Sequence, residues 1–315
     1  MRSIASRVLI TGGAGFVGAN ITRAAVQRGD HVCALIRPSS DPWRLRDVLS
    51  RCEIAVADIR DEASVSSVMN RFRPEIAIHA AMSAGHPRTA GERIQFLSTS
   101  VMGTANLVEA ALDAGVQRFI HIGSFLVYGS TNRPYREEDP LDPPSPRGVA
   151  KAAAALWCRQ FAVWTGLPVL ELRLFSVYGP WEGPQRLIPT LLRAAETGAE
   201  VPLCPGSRRD LVYVEDVADA CLRACSVEPF PQGVIHIGSG KQWSNTEVAE
   251  AVQRVAGCRL RLIQNGHPAN PGDRDWSVAS ISRARDLLRW EPRHSLEQGL
   301  SATLAWMRAR QVVRA

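Results

Sequence analysis

Four glycines, Gly12, Gly13, Gly15 and Gly18, stand directly behind the apolar run Val8, Leu9 and Ile10. They read two ways, as Gly13-x-Gly15-x-x-Gly18 and as Gly12-x-x-Gly15-x-x-Gly18. The chemistry such spacing serves is the grip on a pyrophosphate. Early glycines tighten the turn and let the backbone approach the anion, and Gly18 lets a helix lie close to a strand. A helix opening here turns free N–H groups and a partial positive charge toward the anion. The spacing predicts a dinucleotide grip at Gly12, Gly15, Phe16, Val17 and Gly18.

Further residues suited to a dinucleotide lie where apolar runs end. One run ends in Ile36-Arg37-Pro38-Ser39-Ser40. An NAD-binding unit usually places an acid here for the ribose 2′-hydroxyl, whereas an arginine accommodates a 2′-phosphate. Ile36 cannot accept a hydrogen bond, and Arg37 can meet a phosphate. The expected cofactor is NADP or NAD, with NADP preferred. Asp58 and Ile59 suit the edge and face of an adenine. The small Ala80 and Ala81 let a cofactor lie against the backbone, and His79 before them reads as a hydrogen-bonded core histidine.

The elements that must position these residues alternate. Strands are expected over 31–36, 53–59, 75–81, 118–124, 169–175 and 234–237, and helices over 19–28, 62–72, 89–115 and 147–164. Repeated strand–helix alternation builds a parallel sheet covered on both faces. The expected fold is α/β, a doubly wound parallel sheet (Rossmann) with a smaller C-terminal substrate lobe. Residues 1–176, with a segment returning at about 210–240, form the dinucleotide-binding domain in this reading. Residues 177–209 and 241–315 form the substrate-binding lobe. Ligands of such sheets bind outside the carboxyl ends of the strands.

Composition narrows the classes. The formal net charge of +6 is spread out, with no run of five basic residues, so no nucleic-acid partner is expected. Seven cysteines include no C-x-x-C pair, which reads as reduced thiols and no metal site. No apolar run approaches membrane-spanning length and no secretory signal is seen, so the expected location is the cytoplasm, away from membrane.

Several ordered motifs together resemble the extended short-chain dehydrogenase/reductase family, in its nucleotide-sugar epimerase and dehydratase branch. Thr11-Gly12-Gly13-Ala14-Gly15-Phe16-Val17-Gly18 is similar to its cofactor motif, and Gly103-Thr104-Ala105-Asn106-Leu107 to a helix pattern. Gly123-Ser124-Phe125-Leu126-Val127-Tyr128-Gly129 ends the fifth strand. Leu172-Arg173-Leu174-Phe175-Ser176-Val177-Tyr178-Gly179-Pro180 resembles the stretch before the substrate lobe. Arg209-Asp210-Leu211-Val212-Tyr213-Val214 and Ile235-His236-Ile237-Gly238 fit later segments, so the likeness runs nearly end to end.

The resemblance implies NAD(P)-dependent change of a nucleoside-diphosphate sugar by hydride transfer at a sugar carbon, as epimerase, dehydratase or 4-keto reductase. A Ser or Thr and a Tyr-x-x-x-Lys pair do the family's acid–base work. Ser124 and Lys151 match, with Lys151 also on the nicotinamide ribose. The tyrosine position holds Arg147. A guanidinium cannot serve as a general base near neutral pH, although it can clamp an oxyanion or phosphate. Three readings follow: another group such as Tyr128, Tyr135 or Glu137 handles the proton; the proton comes from Ser124, water or the substrate; or catalysis is lost and the protein is a nucleotide-binding partner. Ser100, Ser176 and His236 stand where the family often has Asn. Ser176, Arg209 and Arg274 are the implied substrate contacts, and the implied assembly is a homodimer through the helices over 89–115 and 147–164.

Overall fold

The structure, a computed structural model, describes residues 5–83, 85, 87–204, 207–264 and 276–312. The chain divides into two compact units. One comprises Met1–Gly129, Asp139–Leu174 and Ala218–Ile235; the other comprises Ser130–Glu138, Phe175–Val217 and His236–Ala315.

Strand β1 (Arg7–Thr11) is short and wholly apolar at Val8, Leu9 and Ile10 because both faces of the sheet are covered. Helix α1 (Phe16–Arg28) ends at Gly29, whose left-handed φ of 97° only glycine adopts at little cost. Strand β2 (His31–Ile36) pairs parallel with β1, His31 opposite Arg7. Strand β3 (Glu53–Val56) stops short of the expected residue 59. The Asp58 carboxylate accepts the Arg60 N–H at 3.0 Å, and Asp61 caps α2 (Glu62–Phe72), so the chain turns here instead of extending. Strand β4 (Ile76–His79) follows.

The long helix expected over 89–115 is three pieces. Thr89 and Glu92 form a reciprocal capping box on α3 (Ala90–Leu97), which passes through a π turn, Ser98–Met102, into α4 (Gly103–Asp113). Strand β5 (Arg118–Ser124) leads to α5 (Pro146–Thr165), where Ser145 caps, Pro146 opens and Gly166 closes the helix. Strand β6 (Val169–Leu174) completes the alternation. Then come β7 (Ser176–Tyr178), α6 (Leu187–Thr197), β8 (Glu200–Leu203), β9 (Arg208–Tyr213), α7 (Val214–Ser226), β10 (Gly233–Ile237), β11 (Gln242–Ser244), α8 (Asn245–Ala256), β12 (Arg261–Gln264), α9 (Ser282–Leu288) and α10 (Leu296–Val312).

Seven strands form one sheet in the order β10-β6-β5-β4-β1-β2-β3, the expected doubly wound arrangement. Order reverses between β1 and β4, the switch point at which such sheets bind ligand. On one face Leu9, Leu35, Met69, Phe72, Leu107, Phe119 and Phe161 pack β1, β2 and β5 against α2, α4 and α5. On the other, Ala19 of α1 packs on Ala34 with Leu45 and Val48. The second unit has its own core, in which Leu191, Leu192, Val201, Val248, Val252, Leu300 and Leu304 meet. Among the described residues no helix is long and apolar enough to cross a membrane.

Candidate active site

The glycine turn is closed to side chains everywhere except where a ligand would lie. Gly12 has φ +67°, and a Cβ on it would stand 2.8 Å from the Ala81 backbone. A Cβ on Gly18 would stand 2.2 Å from the Gly12 carbonyl oxygen, the close helix–strand approach that its position implies. Gly15 is exposed, and a Cβ there would meet only the Gly12 oxygen at 3.0 Å. No side chain caps α1 and no acid lies in its first turn, where Phe16 and Val17 sit half-buried. The leading N–H groups therefore face an exposed, uncluttered cradle, which fits a dinucleotide pyrophosphate.

The strand ends converge on the same unit. Ala81 donates its N–H to Thr11 Oγ1 at 3.1 Å, and Ala80 precedes it. His79 is a core histidine: Nδ1 meets Thr11 Oγ1 at 2.8 Å and Nε2 meets Thr104 Oγ1 at 2.9 Å. The Asp58 carboxyl is held below its ordinary range, chiefly by hydrogen bonds from Arg60, with the Arg37 charge contributing. Arg37 is exposed, so β2 and β3 present a cation and a carboxylate side by side at their carboxyl ends. Ile59 is buried, its carbonyl accepting from Asn106 Nδ2 at 3.0 Å. Arg44 was not singled out in the sequence. Its guanidinium stacks on Trp43, 4.3 Å from the ring centroid, and Nη1 donates to the Ala14 carbonyl at 3.3 Å. That contact places a second cation at the glycine turn, and no local spacing announces it.

Ser124, Arg147 and Lys151 come together beside the end of β5. The agent is Gly148: a Cβ there would lie 2.4 Å from the Leu126 carbonyl oxygen and 2.8 Å from Pro143 Cβ. The first turn of α5 thus presses against the short helical turn after Ser124. The half-buried Ser124 accepts the Leu126 N–H on Oγ at 3.3 Å. Lys151 Nζ donates to the Ile122 carbonyl at 3.0 Å. Burial, and next the Arg147 cation, lower the Lys151 pKa to about 8 against the pull of Glu171. Arg147 therefore shares the Lys151 surroundings, as one helical turn of separation requires.

The other proton candidates are committed to other partners or belong to the second unit. Tyr128 is 1 % exposed; its hydroxyl accepts from Arg173 Nη1, and Arg173 in turn makes two bonds to Glu171, at 2.9 and 2.7 Å. Tyr135 is buried in the second unit. Glu137, also there, accepts the His236 N–H at 3.0 Å, and burial raises its carboxyl pKa. Of the implied substrate contacts, Ser176 lies on β7 opposite Leu211 and Arg209 on β9 opposite Trp243, both in the second unit. Arg274 lies outside the described residues.

A profile of the "NAD dependent epimerase/dehydratase family" matches residues 8–238. A low-salt glycan biosynthesis protein of Haloferax volcanii is 32% identical over 308 residues, covering 94% of this chain and 96% of its own. A UDP-glucose 4-epimerase of Thermotoga maritima, solved with UDP-glucose, superposes with a TM-score of 0.89 at 27% identity, covering 96% and 99% of the two chains. A UDP-glucose 4-epimerase of Thermus thermophilus, solved with NAD, gives 0.85 at 27% identity, covering 96% and 98%. With the glycine cradle, the strand ends and Ser124 and Lys151 in place, the chain belongs to the NAD-dependent epimerase/dehydratase family.

Proposed function

We propose that this protein modifies a nucleoside-diphosphate sugar, as epimerase, dehydratase or 4-keto reductase, with a nicotinamide dinucleotide as cofactor. The observation that carries the reading is the gathering of Ser124, Arg147 and Lys151 by Gly148 in the unit that holds the open glycine cradle. The relatives named above bind UDP-glucose in one case and NAD in another. A non-catalytic nucleotide-binding partner is the weaker reading, because the two epimerases that the chain matches over nearly its whole length are enzymes.

When bound, the dinucleotide supplies the hydride acceptor and donor. Gly12, Gly15, Phe16, Val17 and Gly18 hold its pyrophosphate on the N-terminus of α1. Asp58, Ile59, Ala80 and Ala81 take the adenosine side, and Lys151 takes the nicotinamide ribose. Arg37, with Arg44 behind it, favours a 2′-phosphate, so NADP binds more tightly than NAD. Ser124 hydrogen-bonds the reacting oxygen, and Arg147 stabilises negative charge that develops there. Ser176, Arg209 and Arg274 are the side chains proposed to contact the sugar nucleotide. Tyr128 has no part in this chemistry, because its hydroxyl is committed to Arg173 inside the core. The protein works as a homodimer in the cytoplasm, a reducing compartment that suits seven free cysteines.

The test is direct. Protein purified and then denatured should release a nicotinamide dinucleotide, identified by mass spectrometry. Incubation with UDP- and dTDP-sugars should give a changed sugar by NMR. A folded protein that neither binds NAD(P)(H) in titration nor alters any sugar nucleotide would overturn the proposal.

A further inference from the structure

The chain contains 37 Lys and Arg residues, and two of them, Lys151 and Lys241, are lysines. A cation that need only attract is written as arginine almost throughout. An arginine cannot give up its proton in a protein, whereas a lysine can when buried. One of the two lysines sits in the candidate active site, one helical turn from the arginine that replaces the family's tyrosine.

The surroundings of Lys151 weaken its hold on a proton. Among the described residues it makes one hydrogen bond, to the Ile122 carbonyl, and no ion pair. From its own helix it is faced by the Arg147 cation and by Cys158, whose thiol burial keeps protonated. From β6 the carboxylate that could neutralise it, Glu171, is committed to Arg173 through two hydrogen bonds. From β5 and β4 it is faced by His121 and His79, both held neutral, with burial as the main cause and the Lys151 charge contributing. His79 has both nitrogens engaged by threonines. His121 is 3 % exposed and neither ring nitrogen has a hydrogen-bond partner among the described residues.

We propose that Lys151 takes and returns the proton of the reacting sugar hydroxyl, the task that falls to tyrosine in the resembled family. The inference rests on the reading given under Proposed function. In the forward step the hydroxyl O–H bond breaks and a new N–H bond forms on the neutral Lys151 amine. The alcohol carbon is oxidised to a carbonyl as its C–H electron pair leaves as hydride for the dinucleotide of that reading. The reverse step returns both. Arg147 acts through Lys151 and is a positioning residue in this respect, since its fixed charge favours the neutral amine.

The proton state of Lys151 is measurable without turnover. Protein grown with [13C]lysine has two side-chain signals, and Lys241→Arg, at an exposed site, assigns them. The Lys151 signal should titrate with a midpoint near 8. Arg147→Ala should move the Lys151 midpoint upward. In the same variant kcat/KM, rising with pH through that midpoint, should shift upward by the same amount, so that activity lost at pH 7.5 returns at pH 9. Lys151→Arg keeps a cation that can still meet the nicotinamide ribose but not a proton it can release near neutral pH; it should lose turnover at least 100-fold. An ordinary lysine midpoint for Lys151 in the wild type overturns the proposal, as does a Lys151→Arg enzyme with undiminished turnover. Should that variant not fold, the wild-type titration and the Arg147→Ala pH profile decide. Wild-type protein that binds no dinucleotide overturns instead the reading on which the proposal rests.

Discussion

Under the proposed function, Arg37 is the side chain at a strand end that would set cofactor choice. Ile36 ends β2 with no acceptor for a ribose diol, and the next residue carries a full positive charge into solvent. Arg44, pinned to the Ala14 carbonyl, adds a second cation at the turn below. Because Arg37 is exposed, water screens part of its attraction, so the lower end of the charged hydrogen-bond range applies, about 1.5 kcal/mol. Arg37→Ala should therefore weaken NADP(H) roughly tenfold while leaving NAD(H) nearly unchanged. Fluorescence titration with both reduced cofactors checks this. Wild-type protein that binds NAD(H) more tightly than NADP(H) would show that Asp58 takes the role assigned here to Arg37.

At the scale of elements, two glycines make opposite predictions. Gly15 is exposed at the open cradle, so Gly15→Val should leave the fold intact and abolish dinucleotide binding. Gly148 is buried against the Leu126 carbonyl and Pro143, so Gly148→Ala must push α5 away from the turn after Ser124. Over-packing of this kind costs about 1–3 kcal/mol and separates Lys151 from Ser124. Expected for Gly148→Ala is a lower melting temperature and lost turnover with dinucleotide binding largely kept. Circular dichroism melts and cofactor titration distinguish the two variants; equal loss of cofactor in both would show that Gly148 does not separate these functions. Gly15 was legible in the sequence because its spacing to Gly12 and Gly18 is local. Gly148 was not, because its reason is a carbonyl on another element. The same distinction runs through the molecule. The strand–helix alternation, the β5 end and the close of α5 at Gly166 follow from period and from glycine. The π turn at Ser98–Met102 leaves no mark on an otherwise helical pattern, and β3 ends early on an Asp58–Arg60 contact that period cannot express. Tyr128 reads as a candidate until Arg173, 45 residues away, claims its hydroxyl.

At the scale of the whole molecule, what remains unexplained by one chain is apolar surface. Ile94 and Leu97 of α3, Met102 of the π turn, and Val149, Leu156, Val163 and Trp164 of α5 are all exposed, with Val163 at 72 % and Trp164 at 64 %. Helices α3 and α5 pack against one another, so these residues belong to adjoining elements of one unit. Helix α5 already commits Ala154, Ala155, Cys158 and Phe161 to the core, and a surface helix needs a single apolar stripe for that purpose. A second apolar face on the same helix is the mark of an interface. A second copy of the chain is the expected occupant, and a two-fold axis would set α5 against its own equivalent. Light scattering should then give twice the 34.4 kDa chain mass at micromolar concentration. The double substitution Val163→Glu and Trp164→Glu would place four carboxylates in a symmetric contact, where repulsion and desolvation both oppose association. It should yield a folded monomer with the glycine cradle unchanged, read by scattering together with cofactor titration. Wild-type protein that stays at the monomer mass as concentration rises would rule out the homodimer, and the exposed face of α5 would then need a different partner.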